Sequence, residues 1–233
     1  MFYFIGKYLI VSYNGHEIVD LLNPNAKYQL LANNVPRVNY ATGGLLQNSP
    51  IVCGGFNWRF SKDCVVIGQP EMKMIEERDS AASVVLDQNT LWVVGGYNGN
   101  RLCSTEFIKL GQPSAKGPDL PFTISYHSMI QYDEKSIYII GGWQNDSRFY
   151  NKTWIVDPTN KFKITEGPSL NKGRNGHGCA KMSLNGRTIL VVAGGYGAKD
   201  SVEILDPLGN NIWTPGMFLK SIAIELCLIN TFK

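Results

Sequence analysis

Three arginines recur at matching places in the chain and carry side chains suited to binding a charged partner. Arg37 and Arg78 each precede a Gly-Gly pair by 17 residues, and Arg174 precedes another pair by 20. An aromatic residue follows each pair. Guanidinium groups match carboxylates through paired hydrogen bonds, and arginine with tryptophan and tyrosine is typical of interaction hot spots. The predicted partner-binding residues are Arg37, Arg78, Arg174, Phe56, Tyr97, Trp143 and Tyr196.

The same arginines have a second interpretation, which is architectural. Buried backbone carbonyls must find donors, and one guanidinium group can supply several. Each arginine would then tie one segment to its neighbour without touching a partner. The sequence leaves both roles open. Ile124 stands where a further repeat would carry its arginine, so any arc of arginines is uneven.

Few residues could support catalysis. The chain has three histidines, and no Cys-x-x-Cys spacing indicates zinc. Tyr126-His127 is similar to part of a copper-radical oxidase site, but adjacent strand residues point to opposite faces, and no ligand set completes a metal centre. We therefore expect His127 and His177 to be structural. The sequence predicts no catalytic residue, no metal site and no cofactor.

Two of the five cysteines are predicted to pair. If Gly55 faces Lys62 across neighbouring antiparallel strands, Cys53 stands directly opposite Cys64, within reach of a disulfide. Asn145 and Asn151 begin Asn-x-Ser/Thr sequons in a predicted loop and are candidate glycosylation sites.

Charge and hydropathy exclude two classes of partner. A net charge of +3 with scattered lysines and arginines does not indicate a phosphate-backbone surface, so we expect no nucleic acid partner. No apolar run reaches the length of a membrane span, so we expect no membrane partner either. Residues 1–10 lack the features of a signal peptide and read as two short strands around a Gly-Lys turn.

The elements that must position these residues follow from a repeat. An apolar run, Gly-Gly and an aromatic residue recur, and the second glycines are spaced by 41, 46 and 53 residues. Such periods indicate solenoids, propellers or arrays. Alternating segments and turn residues follow each pair, which predicts four antiparallel strands per repeat and no helix. The repeated second glycines are Gly55, Gly96, Gly142 and Gly195.

This combination resembles the Kelch-repeat β-propeller family over roughly residues 8 to 220. The resemblance includes the motif at 202–207 followed by Trp213, and it departs from the family where the first repeat has no Gly-Gly. It implies an all-β propeller of four-stranded blades, of which the family usually has six or so. Counting along this chain gives about five blades, with a possible strand of a sixth. The predicted blades are residues 1–36, 37–77, 78–123, 124–173 and 174–219, with 220–233 a partial blade or tail of one domain.

The resemblance implies a non-catalytic module that binds a protein or an acidic peptide at one mouth of the propeller. One alternative is an extracellular recognition module with a disulfide; another is an enzyme of the galactose-oxidase-like or sugar-processing type. The missing leader favours the cytoplasm if the chain is complete. The cysteine pair and the sequons favour an extracellular location if it is a piece of a secreted protein.

Overall fold

A computed structural model gives the structure. It describes residues 38–66, 69, 71–144 and 149–216 in full, and the backbone of five strands outside them. The chain divides into two compact units, residues 1–125 with 231–233, and residues 126–230. The described residues form strands and turns with no helix, as the repeat pattern predicted, and so hold no helix that could span a membrane.

The first strands of the chain are antiparallel neighbours. Ile5 lies opposite Tyr8, which confirms the two strands predicted on either side of the Gly-Lys turn. The next two strands continue the sheet in chain order. These strands are β1 (Phe2–Ile5), β2 (Tyr8–Ser12), β3 (His16–Asp20) and β4 (Gln29–Leu30).

Two further four-stranded antiparallel sheets complete the first unit, with the orders β10-β9-β6-β5 and β11-β12-β13-β14. Gln47 and Asn48 both have positive φ, which gives the tight turn between β5 and β6. Every residue of β12 is buried, as expected for a strand covered on both faces. The strands are β5 (Thr42–Leu46), β6 (Ser49–Cys53), β7 (Phe56–Asn57), β8 (Arg59–Phe60), β9 (Asp63–Val66), β10 (Met72–Lys73), β11 (Ala82–Asp87), β12 (Thr90–Val94), β13 (Thr105–Lys109), β14 (Ala115–Lys116) and β15 (Ile124–Ser125).

The second unit contains two sheets of the same kind, with the orders β16-β17-β19-β20 and β21-β22-β23-β24. Asn185 and Gly186 form the tight turn of the longest hairpin, again with positive φ. The strands are β16 (Ser128–Gln131), β17 (Ile137–Ile140), β18 (Trp143–Gln144), β19 (Thr153–Asp157), β20 (Lys163–Glu166), β21 (Gly178–Leu184), β22 (Arg187–Ala193), β23 (Val202–Leu205), β24 (Thr214–Pro215) and β25 (Leu226–Ile229).

These sheets are blades of the β-propeller class, which is the predicted fold class. Four blades have described side chains, against about five blades predicted. They occupy parts of the ranges 37–77, 78–123, 124–173 and 174–219. The range 1–36, predicted as the first blade, holds β1 to β4, whose side chains lie outside the described residues. In the predicted tail, β25 is a strand.

Each unit has its own apolar core between neighbouring blades. In the first unit, Ile51 and Val66 of one blade pack with Leu91 and Ile108 of the next. In the second unit, Trp213 is buried, and its indole N–H donates to Thr153 Oγ1 of the preceding blade at 3.2 Å. The tryptophan that the repeat pattern singled out therefore joins two blades.

The Gly-Gly pairs join each blade to the start of the next. The N–H groups of Gly55, Gly96 and Gly142 donate to the carbonyls of Arg78, Ile124 and Arg174, each at 2.8 Å. Gly96 has a φ of +107°, and a Cβ there would lie 2.6 Å from the Asp79 carbonyl oxygen. Glycine is therefore required for both backbone conformation and close approach, as predicted.

Candidate functional site

The structural alignment of the repeats shows that Arg37 is not equivalent to Arg78 and Arg174, although the sequence spacing predicted that it is. Paired backbone bridges join Asn39 to Phe56, Asp79 to Tyr97 and Asn175 to Tyr196, so these positions are equivalent. The residue before each is therefore Val38, Arg78 or Arg174.

The alignment of Arg37 with Arg78 is wrong by one residue because β11 has a bulge between Val85 and Asp87, which adds one residue to that strand. Val38, at the equivalent position, is buried. Arg37 itself lies outside the described residues.

Arg78 is an internal cross-link of its blade, with 1% of its surface exposed. Its Nη1 donates to the carbonyls of Gly95 at 2.6 Å and Ser104 at 3.0 Å. Its Nη2 donates to Glu106 at 2.8 Å and Ser104 Oγ at 3.1 Å, with a longer contact to Glu76 at 3.3 Å. The guanidinium group therefore ties the start of the blade to the ends of two strands.

Arg174 makes the corresponding contacts in the second unit, apart from the one to Glu76, and is fully buried. Its Nη1 donates to the carbonyls of Gly194 at 3.0 Å and Ser201 at 3.2 Å. Its Nη2 donates to Ser201 Oγ and to Glu203. Burial raises the pKa of Glu203, but N–H donors from Asn171 and Lys172 and the guanidinium group outweigh burial, so its pKa lies below the usual value.

Glu106 and Glu203 are the partners that the sequence interpretation missed. Each lies one residue into the third strand of its blade, opposite Val93 and Val192. A repeat alignment contains a signal for them, because the two positions change together. The blade with Val38 at the arginine position has Val65 at the glutamate position. The blade with Ile124 at the arginine position has Trp154 at the glutamate position. Paired exchange of a cation and an anion for apolar residues is what an internal ion pair requires.

The aromatic residues after the glycines are more accessible than the arginines. Phe56 and Tyr97 of the first unit are half-buried, as is Trp143 of the second, and Tyr196 is 47% exposed. The ring centroids of Phe56 and Phe60 are 5.2 Å apart, and those of Phe60 and Tyr97 are 5.7 Å apart. Two predicted contact residues, Phe56 and Tyr97, thus join one aromatic cluster through a third ring.

Residues 56–60, formed by β7 and β8, make a small hairpin that we call the aromatic hairpin. Phe56 pairs with Phe60 and Asn57 with Arg59, which leaves Trp58 at the tip with a φ of +61°. Trp58 is 94% exposed. The repeat pattern gives no signal for Trp58, because Trp58 lies two positions beyond Phe56, the aromatic residue that the repeat contains.

Asp79 is a buried acid at the base of this region. Asn39 and Asn175 occupy the equivalent positions of two other blades. Burial raises the pKa of Asp79 to about 6, although a hydrogen bond with Ser80 lowers it in part. Its Oδ1 has no hydrogen-bond partner within the described part of the chain.

The two histidines of the second unit are buried, and burial lowers both pKa values to about 3. His177 Nε2 lies 2.7 Å from Ser128 Oγ, whereas neither ring nitrogen of His127 has a partner among the described residues. Both imidazoles are therefore neutral at neutral pH. Across the described ranges, no three His, Cys, Asp or Glu side chains gather as a metal site.

The cysteine register is as predicted. Cys53 lies directly opposite Cys64, their Cα atoms are 4.1 Å apart, and the two sulfur atoms are bonded. Of the other cysteines with described side chains, Cys103 and Cys179 form no disulfide. At the predicted sequons, Asn151 is exposed and its amide donates to the Leu170 carbonyl at 3.4 Å. Asn145 lies outside the described residues.

Comparison with known proteins adds no family assignment. No protein-family model matches the chain, and no curated protein matches it in sequence.

Replacing Arg174 by Met should destabilise the protein by about 3 to 5 kcal/mol, because Glu203 would keep a buried charge without its cation. Adding Glu203→Gln should restore much of this loss. Arg187→Met is the control, because Arg187 is exposed in its ion pair with Asp206 and should cost less than about 1 kcal/mol. Denaturant unfolding measures all four proteins. Equal losses for the two arginine variants would contradict the internal cross-link.

Replacing Asp79 by Asn should stabilise the fold above pH 7 by about 1 to 3 kcal/mol. The carboxyl group has a pKa raised from 3.8 to about 6 in the folded protein, so it favours folding only while protonated. The protonated carboxyl group therefore makes its full contribution to folding stability below pH 3.8, and this contribution is lost as pH rises through 6. The gain from Asn should therefore vanish near pH 4. Melting curves across pH measure it, with the exposed Asp119→Asn as control. A gain independent of pH would contradict the buried-acid assignment.

Proposed function

We propose that this protein is a non-catalytic Kelch-type binding module and that the aromatic hairpin, with Tyr97, is its contact surface for a protein or an acidic peptide. Propeller blades commonly serve protein interaction. The observation that carries the proposal is Trp58, a large aromatic side chain held almost entirely in solvent at the tip of a tight hairpin.

Neither packing nor backbone geometry accounts for tryptophan at this position. The left-handed conformation of Trp58 favours glycine or asparagine and disfavours bulky side chains. An exposed indole gains little from burial within its own chain. Tryptophan is, however, the residue most enriched at binding hot spots. A residue that costs the fold something and contributes little to its core is explained best by a partner.

The base of the hairpin supports a pre-organised surface. Phe56 exchanges backbone hydrogen bonds with Asn39 at 2.7 and 2.9 Å, and the Ser61 N–H donates to the Gly55 carbonyl at 2.9 Å. The rings of Phe56, Phe60 and Tyr97 contact one another, one pair tilted and the other edge to face. A surface already ordered before binding loses less conformational entropy when a partner arrives.

The charges around the hairpin favour an acidic partner. Arg59 and Lys62 are exposed on this loop. The nearest acid in sequence, Asp63, is engaged by the Ser61 hydroxyl at 3.1 Å and by Lys73 at 3.7 Å. Carboxylates on a partner would therefore meet two exposed cations that form no ion pair within the part of the chain that the structure describes. Arg78 and Arg174 are buried in internal contacts, so Arg59 and Lys62 are the residues that attract an acidic partner.

The second unit carries the remaining predicted contact residues, Trp143 and Tyr196. Tyr196 is the more exposed of the two and follows the Gly-Gly pair of its own blade. We propose it as an additional contact in that unit, with an affinity contribution smaller than that of Trp58, because its ring is half covered.

An extracellular setting is the second candidate. The Cys53–Cys64 bond favours it, since disulfides persist in oxidising compartments, and exposed Asn151 leaves room for a glycan. In that setting the same surface would serve extracellular recognition.

Trp58→Asn should reduce binding at least about tenfold while changing stability by less than about 0.5 kcal/mol. The probe is an acidic peptide selected from a displayed library of short random peptides against the immobilised protein. Asparagine tolerates the left-handed backbone, so the hairpin keeps its shape. Titration calorimetry measures affinity and thermal melting measures stability. Arg59→Glu should weaken binding with a salt-dependent loss.

Leu208→Ala is the matched control, since Leu208 is another large exposed apolar residue, in the second unit. It should change neither binding nor melting. Failure of the library to yield any acidic binder, or equal binding by Trp58→Asn and the wild type, would refute the proposed surface.

A further inference from the structure

We propose that the Cys53–Cys64 disulfide makes the aromatic hairpin competent to bind, so that the redox conditions under which the chain folds set the affinity of this surface. The inference rests on the proposed function of the hairpin and adds its regulation.

The disulfide closes the loop that carries the hairpin. Cys53 ends β6, and Cys64 lies at the start of β9, directly opposite it. The two cysteines are separated by 11 positions, and the aromatic hairpin lies between them. The covalent bond is therefore placed at the root of the loop, where β6 and β9 would otherwise separate first.

The other three blades with described side chains carry no such bond at the same place. The residue before Gly-Gly and its partner on the third strand are Val94 with Thr105, Ile140 with Thr153, and Ala193 with Val202. Packing and backbone hydrogen bonds suffice to close those blades. Within the described blades, the clamp thus coincides with the loop that holds an exposed tryptophan, which indicates a role in presenting that loop.

Without the bond, the hairpin keeps its own contacts, such as those of Phe56 with Asn39, but the root of the loop is closed by hydrogen bonds at a strand end. The Gly54 N–H donates to the Asp63 carbonyl at 2.9 Å, and the Met74 N–H donates to the Lys62 carbonyl at 2.7 Å. Strand ends open at low free energy, and a hairpin of two-residue strands is not stable alone. An opened root would let Trp58 sample many positions. Binding would then have to order the loop, and affinity would fall.

The burial of both sulfur atoms determines when the bond can change. Cys53 and Cys64 lie in the apolar core of the first unit beside Met74. A thiolate can attack only after the strand ends open, so a change of redox state in the folded protein requires local opening of this root.

Reduction by a dithiol transfers two electrons. The Sγ–Sγ bond breaks, each cysteine becomes a thiol with a proton from the reductant, and the two reductant sulfurs form a disulfide. Folding in a reducing compartment therefore yields the loose loop, and folding in an oxidising one yields the clamped loop.

The test compares the wild type with Cys53→Val/Cys64→Thr, which installs the pair that the next blade carries at these positions. The variant should fold. The selected acidic peptide should bind it about fivefold to tenfold more weakly, and the loss should disappear when Trp58→Asn is present in both proteins. Amide hydrogen exchange without peptide should be at least about tenfold faster at Gly54 and Ser61, and unchanged at Leu102 of the next loop.

A second measurement tests the same clamp if the double variant does not fold. Wild-type protein refolded and kept in dithiothreitol should show the same faster exchange. Unchanged exchange at Gly54 and Ser61, or unchanged Trp58-dependent binding, would overturn the clamp. Binding that never depends on Trp58 would instead overturn the proposed surface, so the two failures are distinguishable.

Discussion

The structure depends on satisfying buried backbone groups where one blade ends and the next begins. In three pairs the second glycine, Gly55, Gly96 or Gly142, donates its N–H to a carbonyl at the start of the next blade. In the pairs that begin with Gly95 and Gly194, the carbonyl of the first glycine accepts a hydrogen bond from an arginine. These arginines are Arg78 and Arg174, and Glu106 and Glu203 neutralise their buried charges. Because a buried charge needs a partner, these arginines are held in the interior, where a ligand does not reach them.

The residues that contact a partner must then lie outside these internal contacts of the arginines and glutamates. In the first unit these residues are on the loop after the Gly-Gly pair, where Trp58 and Arg59 project and three rings close the base. The fold thus separates two tasks. Glycine and arginine hold the blades together, and a short hairpin carries the exposed aromatic and cationic groups. The disulfide connects the tasks, because it fastens the hairpin to the strands that the core already fixes.

Much of the fold could be predicted because the pattern is local. Period-two strands, turn residues and Gly-Gly markers predict the four-stranded sheets, and the register of Cys53 with Cys64 follows from counting along two strands. The site was harder to predict. A bulge between Val85 and Asp87 shifts the repeat by one residue, so the sequence alignment wrongly matches Arg37 with Arg78. Burial of Arg78 depends on Glu106, which is 28 residues away along the chain. Trp58 breaks the repeat, so a repeat-based reading passes over it.

The most direct test of this account is a nuclear magnetic resonance titration that follows tryptophan indole N–H and arginine Nε–H signals while the selected acidic peptide is added. The account predicts that the Trp58 indole signal shifts in a saturable way with the bound fraction. The Nε–H signals of Arg78 and Arg174 should stay in place and remain slow to exchange with solvent, because both side chains are buried. Shifts of the two arginine signals with an unmoved Trp58 signal would contradict it.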